Sequence, residues 1–224
     1  MGFSKARFLK FFVLFYVSMT SVNYMHAQRT YDSDVVVGIT ASQISGDGLS
    51  GFEQFGFHFG GLVSTSLGDQ WDLHTGLIWN QKGSRSYKSD DNIIVYRLRA
   101  NYLEVPVLFR VNLEIARFEI DYFFAEIGPT FNFLTNYRER TSAETISNRP
   151  FRPFELAGVA SFGFHLLDDL SLVLQLQNSI LPVRPHLVGM SLPPSNFVIG
   201  DWHNRLYELG QYFTSLSLQI RYRL

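Results

Sequence analysis

The chain has 224 residues, a formal net charge of −1 and no cysteine. A domain without cysteine has no disulfide staple and must be held by burial and hydrogen bonding. With near-neutral charge and no basic cluster along the sequence, nothing answers the Lys/Arg stripe that a nucleic-acid backbone demands, so no DNA or RNA partner is expected.

The N-terminus reads as a targeting segment. Lys5, Arg7 and Lys10 precede an apolar run over residues 11–17, weaker apolar character continues through Met19 and Val22, and small Ala27 stands before Gln28. That run falls well short of the roughly 20 apolar residues a membrane-crossing helix needs. It is therefore read as a secretory signal peptide over 1–27, leaving one domain over 28–224. Beyond it no apolar stretch is long enough for a spanning helix, and a period of two takes over.

A first strand is expected near 35–42. In the second, Phe55, Phe57, Phe59, Gly61 and Val63 alternate with Gly56, His58, Gly60, Leu62 and Ser64. In the third, Trp71, Leu73, Thr75, Leu77 and Trp79 alternate with Asp72, His74, Gly76, Ile78 and Asn80. The fourth, over 96–111, changes phase: Tyr96, Leu98, Ala100 and Tyr102 share one parity, but Leu103, Val105, Val107, Phe109 and Val111 share the other. A one-residue slip would turn every side chain over, so a β-bulge is expected near Tyr102, helped by Pro106, which cannot donate to a ladder. The fifth strand carries Phe123, Ala125, Ile127, Pro129, Phe131 and Phe133 on one face, and the sixth Leu156, Ala160, Phe162, Phe164 and Leu166. Leu170, Leu172, Leu174 and Leu176 mark the seventh, and Tyr212, Thr214, Leu216, Leu218, Ile220, Tyr222 and Leu224 the eighth.

Connections of two lengths alternate. Those at 68–70, 112–117 and 167–169 are short, whereas those at 43–51, 83–93, 135–152 and 181–210 are long. Tight turns at one end and long loops at the other characterise transmembrane β-barrels, so the expected fold is all-β, a closed antiparallel barrel of about eight strands in the outer membrane. Trp71 and Trp79, eight residues apart, span roughly 20 Å of membrane normal at strand rise and tilt, and Tyr212 with Tyr222 about 25 Å, which fits paired aromatic girdles.

The polar parity should then face a lumen only wide enough to be filled by side chains. His58, His74, Lys82, Arg97, Glu104, Arg110, Glu126 and Glu155 are placed there as a structural network. Charges so confined must pair or keep some water, and a plug is expected before a conducting path.

The segments Tyr102-Leu103-Glu104-Val105-Pro106-Val107-Leu108 and Glu126-Ile127-Gly128-Pro129 resemble the PorT-like outer-membrane β-barrel proteins of Bacteroidota. Gln81-Lys82-Gly83 and the spacing of Gly46, Gly48, Gly51, Phe52, Gly56, Phe57 and Gly60 are similar to that family as well, and the resemblance covers nearly the whole mature chain. It implies an outer-membrane barrel and a link to a secretion or gliding-motility machine. The last residue, Leu224, departs from the usual terminal aromatic.

No nucleophile elbow, zinc-protease helix or phosphate loop occurs. Asp47, His58, Ser84, Asp90, Asp91, His186 and His203 offer no spacing that assembles a catalytic site, so no enzyme, metal or cofactor is expected. A structural or accessory role in the envelope is preferred over a narrow channel, and both over an enzyme. Besides the lipid bilayer, an envelope partner is expected at the 181–210 loop, where Leu187, Met190, Leu192, Phe197, Ile199 and Trp202 give a proline-bearing segment too apolar for a disordered one. N-terminal sequencing of the membrane-located protein should begin at Gln28, and a start at Met1 there would reject the signal assignment.

Overall fold

The computed structural model describes residues 31–45, 51–68, 70–86, 96–115, 120–141, 150–185 and 210–224. The expected signal segment therefore lies outside the described residues. The alternating stretches form β1 (Tyr31–Ser45), β2 (Gln54–Ser66), β3 (Trp71–Ser86), β4 (Tyr96–Ile115), β5 (Ile120–Thr141), β6 (Phe154–Leu167), β7 (Leu170–Ser179) and β9 (Gly210–Arg223). A two-residue β8 (Arg184–Pro185) lies beside the start of β9. Each long strand pairs antiparallel with the next, β7 with β9, and β9 returns to β1, closing an eight-stranded ring. Closure leaves no row of unpaired backbone N–H and C=O groups to lie in hydrocarbon, which is what allows a sheet to cross a membrane.

Side-chain alternation decides which face meets lipid. Along β9, Leu216, Leu218, Ile220 and Tyr222 are 40–52% exposed, while Ser215, Ser217, Gln219 and Arg221 are only 1–2% exposed. Val35, Val37 and Ile39 of β1 and Phe55, Phe57, Phe59 and Val63 of β2 extend the same apolar outer face. Aromatic pairs tie neighbouring strands across it, Phe59 to Trp79 at 5.2 Å between ring centroids, Phe123 to Phe162 at 5.7 Å and Phe133 to Phe154 at 5.6 Å. Inward side chains of neighbouring strands crowd one another: a Cβ on Gly163, which pairs with Phe124, would run into that ring unless it moved.

The irregularity expected near Tyr102 is present, but on the facing strand. Tyr102 pairs with Leu134 and Asn101 with Asn136, so Thr135 of β5 is the extra residue. Strand β4 itself keeps one phase: Leu98, Ala100, Tyr102, Glu104, Leu108 and Arg110 are all buried. The apolar residues Leu98, Ala100 and Tyr102 thus point inward, against expectation, because the barrel interior changes from polar to apolar at that height. Tyr212 is a second departure. It is 1% exposed and so not part of an exposed aromatic girdle; at this height β8 takes the place beside β9 that β7 leaves, with the Val183 amide donating to the Gln211 carbonyl at 2.8 Å. Trp71 and Tyr222, by contrast, do stand on the outer face.

The strands β4 and β5 are 20 and 22 residues long. Since about 9–11 tilted residues cross the hydrocarbon, they run on well past it, chiefly at the end that carries the long connections. Leu218→Arg, at the centre of the apolar face of β9, should destabilise the barrel by about 2–4 kcal/mol, whereas Leu218→Phe should be mild. Urea unfolding in liposomes checks this, and equal effects of the two substitutions would mean that the faces are misassigned.

Candidate functional site

The lumen is filled in layers, each built from the inward parity of several strands. Nearest the short turns, Glu126 of β5 accepts from two arginines. Arg221 of β9 donates from Nη1 to Oε1 at 2.7 Å and from Nη2 to Oε2 at 2.9 Å, a bidentate fork. Arg110 of β4 reaches Oε1 from Nη2 at 2.9 Å, and its guanidinium lies 3.9 Å from the centroid of the Phe124 ring. Arg221 Nε also donates to Gln219, whose amide donates in turn to Gln175 at 2.8 Å. His74 is buried beside this set, with Nδ1 3.9 Å from Asp34 Oδ2.

In the middle, Thr40 Oγ1 lies 2.9 Å from both His58 Nδ1 and Ser217 Oγ. A void of about 10 Å³, bordered by His58, Asn80, Glu104, Gln175 and Arg221, separates this level from the next. That is room for about one water molecule.

Above it a cation takes the centre. Lys82 of β3 sits 2.9 Å from Glu104 Oε1 and 2.9 Å from Glu155 Oε2, with its ammonium 0% exposed. Asn80 and Gln177 each donate to Glu104 Oε1 at 3.2 Å, and Ser179 donates to Glu155 Oε1. In the hydrogen-bonded sets, two arginines share one glutamate below and one lysine is shared by two glutamates above, so the three cations answer three anions. An apolar layer of Ile44, Leu98, Ala100, Tyr102, Phe151, Val183 and Phe213 closes the top. Lys82 Nζ lies 4.6 Å from the Tyr102 ring centroid, joining the two levels. Beyond that layer Arg184 of β8 donates from Nη2 to Glu139 Oε2 at 2.9 Å, Tyr96 donates to Glu139 Oε1 at 2.8 Å, and the Arg184 guanidinium lies 3.9 Å from the Phe151 ring centroid.

Of the residues singled out in the sequence, His58, His74, Lys82, Glu104, Arg110, Glu126 and Glu155 are all buried in the lumen. Arg97 is not among them. With Leu98 facing inward, Arg97 has the opposite parity and lines an outer groove with Arg99, Arg138 and Arg140. Sequence reasoning did not single out Arg221, Gln219 or Gln177, although each stands on a polar parity that alternation exposes. The pair Arg184 and Glu139 carried no such signal, since Arg184 was assigned to a loop. Ser84 is buried in β3, while Asp47, Asp90, Asp91, His186 and His203 lie outside the described residues. So do Leu187, Met190, Leu192, Phe197, Ile199 and Trp202 of the expected partner loop.

An eight-stranded antiparallel ring with an apolar outer band, a polar filled lumen and strands prolonged past one edge defines a small outer-membrane β-barrel. The outer membrane protein beta-barrel domain family matches residues 8–180, and the chain belongs to it. The match stops short of β9, which is placed by its pairing with β1. Among solved structures, the chain is similar to Ail, the attachment invasion locus protein of Yersinia pestis, in complex with the heparin analogue sucrose octasulfate: 13% identity and a TM-score of 0.43, over 87% of this chain and 99% of that one. It is similar to Neisserial surface protein A at 9% identity and a TM-score of 0.47, over 86% and 97% of the two chains. Similarity to OprG from Pseudomonas aeruginosa is 9% identity and a TM-score of 0.40, over 88% and 97%. No curated protein matches the chain.

Removing Lys82 leaves two buried carboxylates facing each other without a cation. Lys82→Met should therefore cost about 3–5 kcal/mol, and adding Glu104→Gln and Glu155→Gln to it should recover most of that loss. Urea midpoints of the single and triple variants decide, and a triple variant no better than the single one would mean that the layer is held by something other than charge balance.

Proposed function

We propose that this protein is a non-conducting outer-membrane barrel with a structural or accessory role in the cell envelope, acting through what it presents beyond the membrane. The observation that carries this is the filled lumen of the described barrel: buried ion pairs at two levels, a water-sized void between them and an apolar layer above. A narrow pore would need an open, hydrated track, and paired charges in an eight-stranded interior leave little room for one. Action without catalysis is supported by the burial of His58 and His74 inside this packed lumen.

The short turns and both ends of the described sheet, Tyr31 and Leu224, fall at one end of the barrel, which is assigned to the periplasm by the rule that outward loops are the long ones. Export by a signal peptide cleaved after Ala27 goes with that assignment. A PorT-like identity, with attachment to a secretion or gliding-motility machine, is the finer form of the proposal and rests on the segments around Glu104 and Glu126. The surface proposed to meet an envelope partner is the 181–210 connection.

Purified barrel in a planar bilayer should give no discrete conductance steps, and steady single-channel currents would favour a pore instead. Replacing residues 187–199 by a short Gly/Ser linker should leave heat-modifiable gel mobility intact and remove specific proteins from native-membrane pull-downs. An unchanged set of co-purifying proteins would reject the partner surface.

A further inference from the structure

We propose that the outward faces of β3, β4 and β5 just beyond the membrane band form a binding site for the phosphate groups of an outer-leaflet lipid, held by Arg99, Arg138 and Arg140 with Arg97 beside them. The inference goes beyond the filled-barrel role and uses only its sidedness.

The register lays out the site in rungs. Trp79, Leu103 and Phe133 pair across β3, β4 and β5 and mark the upper apolar edge of the outer face. One outward rung higher stand Gln81, Asn101 and Asn136, joined as a ladder of amides: Gln81 Nε2 donates to Asn101 Oδ1 at 3.0 Å, and Asn101 Nδ2 to Asn136 Oδ1 at 2.6 Å. Next comes Arg99 opposite Arg138, and above them Arg97 lies between Arg85 and Arg140. At strand rise and tilt each outward rung climbs about 5 Å along the membrane normal. The first arginine rung thus stands about 10 Å above the apolar edge, and the headgroup layer is about 5–8 Å thick on each side. An arginine that snorkels back from there reaches the phosphate level.

Charge supplies the rest. Arg99, Arg138 and Arg140 are exposed and, with Arg97, line a groove of about 410 Å³. Like charges directly opposite on neighbouring strands destabilise a sheet, and an anion shared between them reverses that sign. The acidic residue within the Arg138–Arg140 stretch, Glu139, faces the other way and is held by Arg184 at 2.9 Å. At the outward positions of the described part of these rungs, from Gln81 to Arg85, Arg97 to Asn101 and Asn136 to Arg140, no residue is acidic. Planar guanidinium forks match phosphate oxygens two at a time, and the amide rung below can accept or donate to the sugar or glycerol hydroxyls of a headgroup. A lipid is favoured over a soluble anion because the groove opens directly above the apolar face, where acyl chains would lie.

The test uses the mature chain folded in neutral detergent and native mass spectrometry with a bisphosphorylated glycolipid, its dephosphorylated counterpart and inorganic phosphate as probes. The phosphorylated lipid should bind and persist in excess inorganic phosphate, and the dephosphorylated lipid should not bind comparably. Joint substitution Arg99→Gln, Arg138→Gln and Arg140→Gln should weaken phosphorylated-lipid binding by about tenfold or more, as expected for losing several charge-assisted contacts. The corresponding three lysine substitutions should retain part of it. Equal binding of the dephosphorylated lipid would reduce the contact to annular acyl packing and overturn the proposal. Unchanged binding by the glutamine variant would overturn it as well, and displacement by inorganic phosphate would make the site one for soluble anions. Should the glutamine variant lose heat-modifiable mobility, the comparison of the two lipids on the unaltered protein decides alone.

Discussion

Closing eight strands into a ring satisfies every ladder of backbone hydrogen bonds, but it leaves an interior only one side chain deep from each wall. Everything else in this molecule follows from that confinement. Each second residue of each strand must find a place among the others, without bulk water and without clashing with its inward neighbours. Gly38 and Gly163 show how tight the fit is, since a methyl group on either would collide with His58 or with Phe124.

Filling such a space with charge is costly, because ions taken from water regain their solvation only through close pairing. Here Glu126 is paired with Arg110 and Arg221 at one level, and Lys82 with Glu104 and Glu155 at the other, so each of these buried ions has a partner within hydrogen-bonding distance. An apolar lumen of equal volume could be as stable. It would also erase the period of two: strands apolar on both faces would read as long hydrophobic runs of the kind a bilayer takes up as helices. A polar, neutralised lumen keeps the chain amphipathic while the ring holds its charges out of lipid.

The same logic explains what could be read from the sequence. All eight strands and the lipid-facing residues of β2, β3, β6, β7 and the C-terminal part of β9 are legible, because within the membrane the rule that outward means apolar is enforced on every second residue, even though Val36, Leu62 and Ile78 are apolar and face in. It fails where strands leave the hydrocarbon. At Leu98, Ala100 and Tyr102 the inside becomes an apolar core like that of a soluble protein and the outside becomes polar, so Arg97 was assigned to the wrong face. Tyr212, too, lies at the height where β8 joins the sheet and is buried there. Arg221 is legible by parity, standing opposite Ile220 and Tyr222 in the alternation of the last strand. The Arg184 to Glu139 pair is not, because it depends on a two-residue strand with no period to detect.

The bulge at Thr135 links these observations. Below it the even-numbered residues of β5, Glu126, Thr130 and Asn132, point inward; above it the phase is reversed, so Arg138 and Arg140 point outward and Glu139 turns in toward Arg184. Without the extra residue, two arginines would enter an apolar layer already closed by Phe151, Val183 and Phe213, while Glu139 would be set among Arg97 and Arg99. The sequence signals are the period-two pairs Arg97-Leu98-Arg99 and Arg138-Glu139-Arg140, each of which puts two like charges on one face of one strand. A chain with a net charge of −1 thus gathers a row of arginines by strand register, two outward rungs beyond the apolar edge. The re-aiming of side chains that bulges accomplish next to functional sites here divides one strand into a membrane part that completes the lumen and a part beyond it that carries a charged outer face.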